Sequence, residues 1–218
     1  MMKMSIKPVS ALRDYNKLKA RQSCLENDTA VHTAVCGSLC GICINERGNI
    51  VDLLIHDVKG ASAKALITGA FAGAQVIADD GPARPCIGCF GCWIKTPGTC
   101  VIRDGYADMG ARLSRCKRLF IVSQCVYGGF SPFVKTVIDR SIAYVHPYFV
   151  FKNGEMHHRA RYENRMDLTV WFYGTDLTDA QRATARKFVQ AMAVNFYCRL
   201  SQVCFVNAPD DIKEAPAK

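Results

Sequence analysis

Short apolar runs alternate with amphipathic stretches through residues 50–206, and no other pattern in the chain restricts its fold as strongly. Residues 50–56, 74–78, 118–123, 167–173 and 202–206 are brief, apolar and rich in β-branched or aromatic side chains, as buried strands are. Helical stretches separate them over 60–71, 105–116, 132 to about 144, and 179 to about 198. Ser131 and Pro132 stand as N-cap and first helical residue of the third, and Thr178 with Gln181 forms a capping box for the fourth. Five strands alternating with helices predict an α/β fold, a doubly wound five-stranded parallel sheet, because crossovers must cover both faces. In such a sheet ligands bind beyond the carboxyl ends of the strands at the switch point. That rule selects the loops 56–64, 124–132 and 172–176.

The organisation expected around this core is simple. Residues 1–49 form an N-terminal extension, a polar helix plus a Cys-rich arm; residues 50–207 form the sheet domain; residues 208–218 are a polar C-terminal tail. Half of the 218 residues are hydrophobic and 22% are charged, a globular balance. The opening residues lack the apolar core of a signal peptide, and no uncharged run is long enough to span a bilayer. The reading is therefore a cytoplasmic protein with no membrane partner, whose 12 cysteines are reduced. The net charge of +9 favours anionic partners. Arg112, Arg115, Lys117 and Arg118 nevertheless read as a solvated helix end, so no nucleic-acid partner is expected.

Reactive chemistry concentrates in one loop, where Cys86, Cys89, Cys92 and Cys100 lie within fifteen residues. Glycines at 88 and 91 let the backbone curl, and Pro97-Gly98 turns the chain so that Cys100 returns toward the other three. Four soft thiolates suit an iron-sulfur cluster first and zinc second. A reduced, packed thiol turn explains the same residues without a metal.

Among the switch-point loops, Cys125-Val126-Tyr127-Gly128-Gly129 is the most informative. Paired glycines let backbone approach a flat ring, and Tyr127 supplies an aromatic wall, although an ordinary strand-to-helix turn has the same composition. Lys59, Gly60 and Ser62, at the start of the first helix, offer an anion a cation, amides and a hydroxyl. Tyr173 and Gly174 close the third loop.

These motifs carry a resemblance. Cys86-Ile-Gly-Cys89 through Cys92, Thr96-Pro-Gly, Cys100-Val-Ile-Arg-Asp104, Val126-Tyr-Gly-Gly and Phe133-Val-Lys-Thr-Val-Ile-Asp-Arg140 are similar to those of the flavodoxin-like NAD(P)H-dependent FMN oxidoreductases, in particular the iron-sulfur flavoproteins. The resemblance covers roughly residues 50–206. It implies the flavodoxin-like sheet order 2-1-3-4-5 and an FMN enzyme reduced by NAD(P)H, serving a small-molecule or protein electron acceptor and assembled as a homodimer or tetramer. It also implies a four-iron four-sulfur cluster on Cys86, Cys89, Cys92 and Cys100. The flavin accepts the hydride itself, so no side chain is assigned as a general acid. One departure stands out: the family usually has a Gly-Ser-Pro-Arg type loop after the first strand, whereas here the residues are His56-Asp-Val-Lys-Gly-Ala-Ser-Ala-Lys64, with Asp57 adding a negative charge.

Two other readings remain open: a one-electron carrier or redox sensor without small-molecule turnover, and a non-catalytic descendant of the fold that binds zinc. Cys36, Cys40 and Cys43 have the spacing of radical S-adenosylmethionine enzymes, but the chain is too short for that barrel. With Cys24 they could instead hold a second metal, or be reduced thiols. His157, His158, Arg159 and Arg161 are read as a phosphate grip or as a solvated lid or subunit contact. Asp139-Arg140 is taken as a structural ion pair, and Trp93 and Trp171 as core or interface residues.

Overall fold

The computed structural model describes residues 51–215. The readings of the N-terminal extension, including Cys24, Cys36, Cys40 and Cys43, lie outside the described residues. In chain order the elements are β1 (Val51–His56), α1 (Gly60–Thr68), β2 (Gln75–Ala78), α2 (Gly91–Ile94), α3 (Met109–Ser114), β3 (Cys116–Gln124), α4 (Pro132–Arg140), β4 (Val145–Lys152), β5 (Glu155–Ala160), β6 (Asp167–Tyr173), α5 (Asp179–Asn195) and β7 (Arg199–Val206). Short 3₁₀ turns follow α4, at Ser141–Tyr144, and β7, at Pro209–Asp211.

The main sheet has the order β2-β1-β3-β6-β7, with every neighbouring pair parallel. Leaving aside the β4–β5 hairpin, that is the expected 2-1-3-4-5 order, and the fold is flavodoxin-like α/β. Side chains alternate across the sheet into two apolar layers. Leu53, Ile55, Leu119, Ile121, Leu168 and Val170 face one way and pack with residues of α3, α4 and α5. Leu54, Phe120, Val122 and Trp171 face the other way, against Leu66 of α1, Phe71 and Ile212 of the C-terminal segment. Phe71 meets Phe120 at 5.1 Å and Trp171 at 5.3 Å between ring centroids. Burying such a ring stabilises the fold by about 1.5–3 kcal/mol.

Both anticipated helix starts are made. The Ser131 hydroxyl accepts from the Val134 amide with Pro132 in the first turn, and Thr178 and Gln181 exchange both bonds of the capping box. All four helices are shorter than expected, α1 ending at Thr68 and α5 at Asn195. The helix anticipated over 105–116 begins at Met109, because Asp104 turns the preceding residues by accepting from the Tyr106 amide at 3.0 Å. The helix anticipated to about residue 144 tightens into a 3₁₀ turn after Arg140, where the Ser141 hydroxyl donates to the Val137 carbonyl at 2.7 Å.

The polar stretch after residue 144 is an antiparallel hairpin of its own, β4 with β5. Asn153 and Gly154, with φ of 54° and 82°, form its turn. That Asn-Gly pair between alternating side chains was the available sequence signal. Lys152 donates to the Val194 carbonyl and lies 4.2 Å from the Tyr197 ring, and the Tyr197 hydroxyl donates to the His158 carbonyl at 2.8 Å. The hairpin is thereby fixed to the end of α5.

Candidate functional site at the carboxyl edge of the sheet

Three of the parallel strands end together, and their loops meet there. Asp57, just after β1, accepts from the Gln124 amide at the end of β3 at 3.0 Å and from the Tyr173 hydroxyl at the end of β6 at 3.0 Å. The Cys125 amide donates to the Tyr173 carbonyl at 2.9 Å, and the Gly174 amide to the Val206 carbonyl. Burial, and then the charge and hydrogen bond of Asp57, push the Tyr173 phenol far above its ordinary range. At neutral pH it is therefore a protonated donor to a carboxylate. His56, at the end of β1, is 1% exposed, and neither ring nitrogen has a hydrogen-bond partner. Burial lowers its pKa against the opposing pull of Asp57 and Asp80.

The loop after β3 closes on itself. Val126 and Gly129 exchange backbone bonds of 3.0 and 2.9 Å, with Tyr127 and Gly128 at φ of 51° and 81° between them. A Cβ on Gly128 would lie 2.8 Å from Thr184 Cβ and 2.9 Å from the Gln181 carbonyl oxygen, so glycine there lets the turn seat on α5. Cys125 is buried, whereas Tyr127 is 90% exposed beside the switch point. The exposed Tyr127 ring, on a turn closed by two backbone bonds, is open to contact with a flat ligand. This end of the site fits a flavin ring.

The phosphate end does not fit as it stands. Lys59 Nζ pairs with Asp79 Oδ2 at 2.7 Å and also donates to the Asp79 carbonyl. The Ser62 hydroxyl donates to Asp210 Oδ2 at 2.9 Å. Gly60 starts α1, and no side chain caps that terminus. The cation and the hydroxyl expected to meet an anion are each engaged by an aspartate, and Asp57 lies on the same loop.

In the cysteine loop, Cys86 and Cys89 are exposed, Cys92 is buried and Cys100 is partly buried; all eight described cysteines are unbridged. Burial, with additions from Cys100, Cys86 and Cys89 in that order, pushes the Cys92 thiol up to about 11. The four sulfurs are thus within electrostatic reach of one another. Their donor chemistry suits a soft metal, yet among the described residues no group of three or more His, Cys, Asp or Glu is placed to hold a metal ion.

What organises this loop is Arg140, 1% exposed at the end of α4. Its guanidinium binds the Asp104 carboxylate, donates to the Ile102 carbonyl at 3.1 Å and the Arg84 carbonyl at 3.4 Å, and reaches the Cys100 thiol. Burial alone would raise the Asp104 carboxyl's pKa, but the Arg140 bond and the Tyr106 amide outweigh it and hold it below the usual range. Asp139 pairs instead with Lys135, at 2.6 Å.

The remaining candidates take structural positions. His157 meets Asn195 at 2.9 Å, Arg161 donates to the Ala143 carbonyl at 2.9 Å, and His158 stacks between the Trp93 and Phe149 rings. The phosphate-grip reading of this stretch gains no converging cations. Trp93 is 7% exposed and donates to the Val145 carbonyl at 2.9 Å; Trp171 is core. Sequence reasoning missed a cavity of about 400 Å³ lined by Phe90, Trp93, Ile94, Pro147, Phe149 and His158. It joins the cysteine loop to a hairpin more than fifty residues later, a juxtaposition with no local signal. Asp79 and Asp210 were missed for the same reason.

No protein-family model matches the sequence, and no curated protein matches it. Among solved structures the chain is similar to the Trp repressor binding protein from Bacillus subtilis, at 16% identity and a TM-score of 0.43, over 73% of this chain and 89% of that one. It is also similar to an FMN-dependent NADH-azoreductase from Bacillus anthracis str. Ames Ancestor in complex with FMN, at 12% identity and a TM-score of 0.42, over 76% and 89% of the two chains. An azoreductase from Bacillus anthracis str. Sterne matches at 12% identity and a TM-score of 0.43, over 74% and 88%.

Proposed function

We propose that this chain is a flavin-dependent oxidoreductase that passes electrons from NAD(P)H to a small-molecule or protein acceptor. The observation that carries the reading is the 90%-exposed Tyr127, held on the rigid 125–129 turn at the switch point of a 2-1-3-4-5 sheet. The motif resemblance over residues 86–140 supports a flavin as the cofactor. When bound, the flavin accepts hydride from the nicotinamide and releases electrons onward.

In this reading the protein binds and orients. Tyr127 walls one face of the ring, Val126, Gly128 and Gly129 shape the turn beneath it, and buried Cys125 anchors the turn to β6. The Tyr173–Asp57 bond holds the β1, β3 and β6 loops at a fixed separation. Lys59, Gly60 and Ser62 are the residues nearest the phosphate end, and Gly174 carries the chain past the site. A four-iron cluster or a zinc ion on Cys86, Cys89, Cys92 and Cys100 is a second component, supported by donor chemistry alone. A homodimer or tetramer and a cytoplasmic setting belong to the same proposal.

The test is to load the full chain with flavin under anaerobic conditions, record its spectrum, quantify iron and zinc, and follow NADH and NADPH oxidation. Steady flavin-dependent oxidation supports the enzyme. A bound, chemically reducible flavin that neither nicotinamide reduces favours an electron carrier, and zinc without flavin binding overturns the redox reading.

A further inference from the structure

We infer that this chain selects its flavin by the ring and not by the phosphate, with Asp57, Asp79 and Asp210 as the specificity-determining residues, so that FMN binds at most about threefold more tightly than riboflavin. The inference rests on the flavin reading above.

The two side-chain donors at the first turn of α1, Lys59 Nζ and Ser62 Oγ, are each already paired, while its backbone amides carry no side-chain cap. Lys59 lies 2.7 Å from Asp79, Ser62 donates to Asp210 at 2.9 Å, and the Gln124 amide and Tyr173 hydroxyl converge on Asp57. A phosphate monoester carries a charge of about −1.5 to −2 at neutral pH and would enter beside these carboxylates, with Lys59 already paired to one of them. The helix terminus does attract negative charge, but Asp210 supplies it from within the chain. The backbone that carries this exposed carboxylate is held in place. It sits in the Pro209–Asp211 turn, anchored by Ile212, which is 8% exposed in the core layer beneath α1, and Lys213 Nζ donates to the Asp210 carbonyl at 2.7 Å.

Exclusion and attraction have opposite salt signatures. Salt screens repulsion, so FMN gains on riboflavin as ionic strength rises; at a site that binds phosphate, FMN loses. The experiment titrates the full native chain with riboflavin and with FMN, following flavin fluorescence at low and high salt. FMN affinity no more than about threefold above that of riboflavin, rising relative to it with salt, supports the inference. Asp210→Asn, which removes a charge and frees Ser62, should strengthen FMN by about tenfold relative to riboflavin and leave riboflavin unchanged. Asp79→Asn, which frees Lys59, should shift the ratio the same way and guards against misfolding of the first variant.

FMN binding more than about threefold tighter than riboflavin in the native chain, weakening with salt, overturns the inference and leaves the flavin reading standing. Two folded variants with the native ratio overturn the assignment to these aspartates. Failure to bind either flavin overturns the flavin reading and the inference together.

Discussion

Arg140 turns α4 into a support for the cysteine loop, because its guanidinium gathers Arg84, Ile102, Asp104 and Cys100 from a segment with no long element of its own. Replacing it with Met strands the Asp104 carboxylate, 13% exposed, and should lower stability by roughly 3–5 kcal/mol in thermal or denaturant unfolding. Arg140→Lys should not restore the loss, since one ammonium cannot span the same acceptors. The sequence showed an ion pair at this position but gave it the wrong partner. Successive helical residues point apart, so Asp139 pairs with Lys135 one turn back and Arg140 turns inward. His146 adds a pH dependence. Burial, then Arg161 and Arg159, lower its pKa to about 4, below the ordinary 6.5. The unfolded chain therefore binds the proton first, and this contribution to stability is full above about pH 6.5 and declines as pH falls toward 4. His146→Gln should flatten that acid limb by on the order of 2 kcal/mol in denaturant midpoints measured from pH 7 to 4.

Among the elements, the β4–β5 hairpin is the addition to the sheet, and its turn is its weak point. Gly154 at φ 82° has open space around it, so Gly154→Val fails through backbone strain and not through a clash. A cost of about 1–2 kcal/mol is expected, seen as faster amide exchange in β4 and β5 with β1, β3 and β6 unaffected. Gly128 adds a clash to the same backbone strain, at φ 81°. Its Cβ would collide with Thr184 and the Gln181 backbone, so Gly128→Ala should push the 125–129 turn off α5 and weaken flavin binding by about tenfold, or ~1.4 kcal/mol, in the same fluorescence titration. The paired glycines were legible in the sequence as a close approach, but what they approach on the Gly128 side is a helix.

For the molecule as a whole, the +9 charge is partly paired among the described residues. Arg118 binds Asp52, Arg199 meets Asp167 at 2.7 Å, and Arg112 meets Asp108 at 2.9 Å, so the cations of the densest basic group are divided between a strand and a helix end. Binding to mixed-sequence duplex DNA should be weak, without sequence preference, and lost by roughly 0.2 M salt in a filter or anisotropy assay. Among the described residues no helix is long and apolar enough to cross a membrane. The sequence by itself determined the five strands of the main sheet and the two helix caps, because periodicity and capping chemistry are local. Only the tertiary structure decided that Asp79 and Asp210 engage Lys59 and Ser62, that Arg140 serves Asp104, and that Phe149 and His158 face the cysteine loop. Those pairs are brought together by the closing of the sheet and its layers, across separations at which sequence spacing carries no information about distance.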